Sequence, residues 1–157
     1  MNINIGISEN NRQAVANELL KILADEYVLY TKTRNAHWNI AGPDFYDKHK
    51  FFEDQFEELN EIIDRVAERI RSLGQGVRGS LGYFLSITQL AESDNEKTDS
   101  EYFIQELLVN HERIIQTLRT DIKIFESDFG DIGSSDFITG LLQDHEKMAW
   151  LLRSHMK

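Results

Sequence analysis

Apolar residues recur at intervals of three and four along most of the chain, the period of an α-helix with one buried face. The first run, Val15, Leu19, Ile22, Leu23, Tyr27 and Tyr30, follows Ser8, which can cap a helix from Glu9 to about Ala36. The stretch NIAGP then breaks the pattern. Asp44 can cap a second helix carrying Phe45, Phe52, Phe56, Leu59, Ile63, Val66, Ile70 and Leu73, with Gly74 as its stop. From Gln75 to about Thr98, glycines and the polar run ESDNEKTDS signal a connection, interrupted by YFLSITQLA, which predicts a short helix. A third long helix starts near Asp99 or Ser100 and uses Phe103, Ile104, Leu107, Leu108, Ile114, Ile115, Leu118, Ile122 and Phe125. Beyond DFGDIGSSD, Ser134 or Ser135 can cap a fourth, with Phe137, Ile138, Leu141, Leu142, Met148, Leu151 and Leu152.

Two helices, a long crossover and two more helices predict an all-α, four-helix bundle of the ferritin-like kind, with a short helix in the crossover. At 157 residues, with no repeat or low-complexity segment, the chain reads as one domain over residues 1–157. It has no cysteine, so a metal would be held by nitrogen and oxygen alone. No leader pattern opens the sequence and no apolar run reaches bilayer length, so the expectation is a soluble, cytoplasmic protein without membrane partners. The formal net charge of −10 disfavours duplex DNA and favours cations.

Two of the five histidines, His37 and His49, stand at the two ends of the NIAGP break. His49 and Glu53 are four apart, as are Asp64 and Glu68, so each pair projects from one helix face. Imidazoles with carboxylates form a ligand set for Fe(II), Mn(II) or Zn(II), and the oxygen-rich mixture suits iron. Each pair taken alone is better explained as ordinary surface: Asp64 and Glu68 are interleaved with Arg65, Arg69 and Arg71 on an ion-paired face, and His49 with Glu53 reads as a surface hydrogen bond. A single chain cannot gather all of them, because fifteen residues separate His49 from Asp64, roughly 22 Å along a helix. An antiparallel second copy with its two-fold axis near residues 56 to 58 sets His49 opposite Asp64 and Glu68, which creates two equivalent sites. His37 reaches the same place if the NIAGP turn folds back.

The segments HWNIAGPDFYDKHKFFE and IDRVAERIRSLG resemble the paired signature of the Dps mini-ferritins, and the spacing of His37, His49, Asp64 and Glu68 matches that family's ferroxidase ligands. The resemblance covers nearly the whole chain. It implies a hollow homo-dodecamer built from two-fold dimers that oxidises Fe(II), preferably with hydrogen peroxide, at intersubunit di-iron sites and stores the ferric product, protecting against oxidative stress. His37 and His49 would come from one subunit and Asp64 and Glu68 from its mate, with Trp38 lining the site and no organic cofactor required. Three departures stand out: Glu53 as a ligand where the family more often has Asp, Lys48 in place of an aliphatic, and Val77 in place of Pro or Ala. Classical ferritins instead build an intrachain site from Glu-x-x-His pairs, and this chain contains none.

Glu53, Glu57 and Glu61 recur at intervals of four beside Asp54 and Glu58, so Glu57 and Glu61 are candidates for nucleating mineral on a cavity-lining face. Asp128, Asp131 and Asp136 surround the start of the fourth helix, where acids are stabilising in any case. By resemblance they border a three-fold cation pore, with Asp136 the best match. His111, His145 and His155 read as surface or packing residues, and Trp150 as core or interface. Relatives that bind DNA use Lys-rich tails. Here Arg12 near one end and Arg153 and Lys157 at the other leave DNA binding absent or weak. The competing readings are a non-enzymatic nucleoid or shell protein with structural metal ligands, and Zn(II) binding without turnover.

Overall fold

The computed structural model describes residues 3–94 and 96–156, and among them are five helices and no strand. They are α1 (Glu9–Asn39), α2 (Phe45–Ser72), α3 (Leu81–Ile87), α4 (Ser100–Ser127) and α5 (Ile132–Arg153). Ser8 caps α1 by accepting the Asn11 amide at 3.2 Å, and Asp99 caps α4 by accepting that of Tyr102 at 2.8 Å. Against the sequence reading, α1 runs on to Asn39 and α3 starts at Leu81 and stops at Ile87, short of the end of YFLSITQLA, and two caps differ. Asp44 precedes α2 but caps no amide, because its carboxylate instead accepts the Ser100 hydroxyl at 2.7 Å. The cap of α5 is Asp131 rather than Ser134 or Ser135, so the helix starts earlier: the Ser134 amide donates to Asp131 Oδ1 at 2.9 Å. Arg69 fixes that choice, since its guanidinium reaches Asp131 Oδ1 at 3.3 Å and Ser134 Oγ at 3.0 Å.

Side-chain and main-chain bonds between the ends define the topology. The Ala41 amide donates to the Thr98 carbonyl at 2.9 Å, which puts the start of α4 beside the α1–α2 turn. At the far end Arg12 Nη1 donates to the Leu73 carbonyl at 2.9 Å, and Asn11 Nδ2 to that of Phe129 at 3.0 Å. Hence α1 and α2 are antiparallel, as are α4 and α5, and the crossover runs the length of the bundle. Asp25 pins that crossover, taking the Thr88 hydroxyl at 2.6 Å and the Gln89 amide at 2.9 Å. Tyr27 stacks on Phe84 of α3 with centroids 4.7 Å apart.

Phe52, Phe103 and Phe125, with leucines and isoleucines from the four long helices, fill the core. Leu73 ends α2 and Gly74 follows at φ +81°, where any added Cβ would strike Ile3. Among the described residues no helix is long and apolar enough to cross a membrane.

Candidate functional site

His37 lies in the last turn of α1 and His49 in the first turns of α2, so the five-residue break between the helices folds one back onto the other. The imidazoles stack with centroids 3.7 Å apart. Each makes the same bond to the other's main chain: His37 Nδ1 lies 2.8 Å from the His49 carbonyl, and His49 Nδ1 2.8 Å from the His37 carbonyl. A carbonyl only accepts, so both Nδ1 atoms must carry the hydrogen. In the neutral rings Nε2 then carries the lone pair, the form in which imidazole binds a metal. Phe45 stacks on His49 at 5.0 Å and the edge of Phe56 meets His37 at 5.2 Å, which restrains the two rings further.

Glu53 stands one turn along α2 from His49. Its carboxylate is held by the Lys50 ammonium, and that hydrogen bond sets its pKa below the usual carboxylate range, with both imidazoles adding in the same sense. Lys48 is turned to the chain's other end, where its ammonium meets His155 Nδ1 at 3.0 Å. Trp38 is 62% exposed at the end of α1, and the Arg34 guanidinium lies 5.1 Å from its ring and 4.6 Å from that of Phe56. Arg34, which donates to the Tyr30 hydroxyl at 2.8 Å, is a neighbour of the site that the sequence reading passed over.

Asp64 and Glu68 are exposed farther along α2 and are not brought to the histidines. Among the described residues no three acidic or histidine side chains converge on a common point within the chain. Glu57 and Glu61 are exposed and line an open groove of about 610 Å³ with Tyr30, Arg34, Asp54 and Glu58. Asp128 and Asp136 are exposed, whereas Asp131 is buried in its cap and its pairing with Arg69. Arg12 is also buried, its guanidinium spent on the Leu73 carbonyl, while Lys157 lies outside the described residues.

His111 and His145 are not surface residues. Both are fully buried in the bundle, where they contact each other and Glu26. The signal was present in the spacing, since all three sit on the apolar stripes of their helices: Glu26 between Ile22 and Leu29, His111 between Leu107 and Ile114, His145 between Leu141 and Met148.

Comparison with known proteins places the chain among similar folds and sequences. The model of the ferritin-like domain matches residues 16–157. An uncharacterized low temperature-induced protein of Nostoc sp. is 39% identical over 155 residues, covering 99% of this chain and 87% of that protein. The DNA protection during starvation protein 2 of Bacillus anthracis is 30% identical over 146 residues, covering 93% of this chain and 98% of that one. The solved Dps structure from Vibrio cholerae, described as a member of a broad superfamily of ferritin-like diiron-carboxylate proteins, superposes with a TM-score of 0.92. It is 30% identical, with 100% of this chain and 98% of that one covered.

Proposed function

The chain belongs to the ferritin-like family and, within it, to the Dps proteins, and from that membership we propose that it oxidises Fe(II) at sites shared by two-fold-related subunits. The ferric product is stored in a hollow, twelve-subunit shell in the cytoplasm, as in the family at large. The observation that carries this reading is the reciprocal bonding of His37 and His49, which fixes both rings in the tautomer that offers Nε2 to a metal. Glu53, one turn along α2 from His49, is the nearby carboxylate proposed to join them, and among the described residues no three such groups converge within one chain. Asp64 and Glu68, exposed on α2, are the carboxylates that a second copy would bring.

The surface beside the histidines supports an interface there. Trp38, Tyr46 and Leu81 are 62%, 70% and 69% exposed, with Phe45 and Leu85 also open to solvent. Apolar surface of this kind is covered when a partner packs on it. A groove of about 250 Å³ between α1 and α3, lined by Tyr27, Trp38, Phe84 and Leu85, gives that partner a seat.

Iron is the substrate. Two Fe(II) ions give one electron each to hydrogen peroxide, whose O–O bond breaks to leave two water molecules once two protons are taken up. The protein's part is to hold two irons close together in nitrogen and oxygen ligands, and it need supply neither nucleophile nor general acid. Asp128 and Asp136, exposed at the turn into α5, are assigned to cation entry, with Asp131 holding that turn in shape; Glu57 and Glu61 are assigned to mineral nucleation. DNA binding is expected to be absent or weak, since the chain carries a net charge of −10 and Arg12 is buried.

The test is anaerobic Fe(II) oxidation on addition of hydrogen peroxide by the wild type and by a His37→Ala, His49→Ala double variant, with light scattering to show equal assembly. Fast oxidation that collapses by about a hundredfold or more in the assembled variant supports the ferroxidase, since loss of even a ligand's hydrogen-bond partner costs about 10–100-fold at metal sites. Equal rates would make the histidines structural and defeat the proposal.

A further inference from the structure

The middle of the bundle, where a four-helix core is ordinarily apolar, holds three titratable side chains. Glu26 of α1, His145 of α5 and His111 of α4 are each 0% exposed. His145 Nε2 lies 2.8 Å from Glu26 Oε1, and its Nδ1 lies 3.0 Å from His111 Nδ1. The two ends of this relay, Glu26 Oε2 and His111 Nε2, are buried with no hydrogen-bond partner among the described residues. Orphaned polar atoms are rare in protein interiors, because burial strips them of water with nothing in return.

Hydrogen-bond polarity limits how many protons the three groups can hold. Only one hydrogen fits between the two facing Nδ1 atoms. With Glu26 ionised, His145 donates Nε2–H to the carboxylate and accepts Nδ1–H from His111, leaving His111 Nε2 as a bare lone pair. One further proton can be held by charging His145 beside Glu26, with His111 changing tautomer. A second cannot, because two imidazolium rings would aim N–H groups at each other across the same 3.0 Å.

We propose that Glu26, His145 and His111 form an acid-sensitive latch, which ties α1, α4 and α5 together at neutral pH and releases the α4–α5 hairpin when both imidazoles take up protons. The latch needs neither iron nor an assembled shell, so it stands or falls independently of the ferroxidase reading.

The surroundings give the sign. Burial, and then the neighbouring His145, hold the His111 pKa well below the usual imidazole range. In the opened hairpin that ring returns to an ordinary value near 6.5. Opening therefore takes up a proton below about pH 6.5, and the opening equilibrium rises toward tenfold per pH unit beneath it. From α2 the core receives Leu59, Ile62, Ile63, Val66 and the uncharged Gln55, none of which titrates. The other buried charges of α1 are engaged elsewhere: Arg12 with Leu73, Asp25 with Thr88 and Gln89, Lys32 with Glu106. On α4, Asp121 is raised to about 6 by burial and works in the opposite direction, favouring the folded state as pH falls. His37 is a further buried imidazole, at the end of α1, and the test removes it.

The measurement is hydrogen–deuterium exchange of α4 and α5 amides at pH 7.5 and 5.5, corrected for the intrinsic pH dependence, in a His37→Ala, His49→Ala, Asp121→Asn background, which also removes the opposing contribution of Asp121. Adding His111→Asn keeps an amide donor near the Nδ1 position and cannot become charged. The background protein is expected to open about tenfold more readily at pH 5.5, and the His111→Asn form to change less than threefold. Should His111→Asn fail to fold, Glu26→Met, His111→Phe, His145→Leu supplies an apolar core with the same expected flat response. A flat response in the background protein, or a tenfold rise persisting in either folded variant, overturns the latch.

Discussion

What suits His37 and His49 to the proposed metal site is their pairing with two main-chain carbonyls, which sets the tautomer of each ring. Their positions at the two ends of NIAGP were legible in the sequence, because a break between helices needs few residues and both histidines abut it. The lock on their tautomers was not, since it depends on how tightly the turn folds. Glu53 carries a further constraint: its carboxylate is held by Lys50 and must be released to ligate metal. Substituting Lys50→Gln therefore strengthens binding. Co(II) titration of the assembled protein, used as a non-oxidising probe, is expected to show roughly two- to fivefold tighter binding, the equivalent of a surface ion pair, with the gain shrinking at high salt. An unchanged affinity would mean that Glu53 does not ligate. Glu26, His111 and His145 show the reverse case. Each lay visibly on an apolar stripe, but their meeting depends on the relative heights of three helices, which one-dimensional spacing does not contain.

The helices themselves were legible in nearly full extent, because caps such as Ser8 and Asp99 and a stop such as Gly74 act locally. The start of α5 was misread for a tertiary reason: Arg69, on another helix, selects Asp131 over the serines that follow. Asp131 satisfies the Ser134 amide and hydroxyl as well as Arg69. Its replacement by alanine is expected to lower stability in denaturant unfolding by about 2–3 kcal/mol, more than a cap alone, because a cation loses its partner. Asp131→Asn keeps the cap and is expected to cost about half as much. On α4, Asp121 is raised to about 6 by burial and by Glu18 and Asp25. Its folded pKa exceeds its unfolded value near 3.9, so the native state is penalised as pH rises from about 4 to 6 and keeps the full penalty above that. Asp121→Asn is accordingly expected to stabilise the protein at pH 7.5 by about 1 kcal/mol, allowing for solvent screening, and to lose that advantage below about pH 4. Unfolding midpoints of the two proteins across that range check the sign.

The order of two helices, crossover and two helices emerged from apolar spacing alone, and the bonds joining Ala41 to Thr98 and Arg12 to Leu73 place the ends where that order requires. The proposed site could be read only as an argument about two copies, because its residues lie beyond one another's reach within one chain: the histidines stand at the α1–α2 turn while Asp64 and Glu68 are exposed far along α2. That division of labour makes a prediction which no intrachain site shares. One variant lacks the histidines, His37→Ala with His49→Ala, and the other lacks the carboxylates, Asp64→Ala with Glu68→Ala. Each alone should assemble and be inactive in peroxide-driven Fe(II) oxidation. When the two are dissociated, mixed in equal amounts and reassembled, half of the two-fold pairs contain one of each. In such a pair one site has lost every ligand of both kinds, and the other keeps the histidines of one subunit and the carboxylates of its mate. Activity should therefore return to about a quarter of the wild-type value, set by this pairing arithmetic. Recovery near a quarter can only come from sites built across subunits. No recovery from mixed, assembled particles would mean that each chain must use its own residues, and the intersubunit ferroxidase would be excluded.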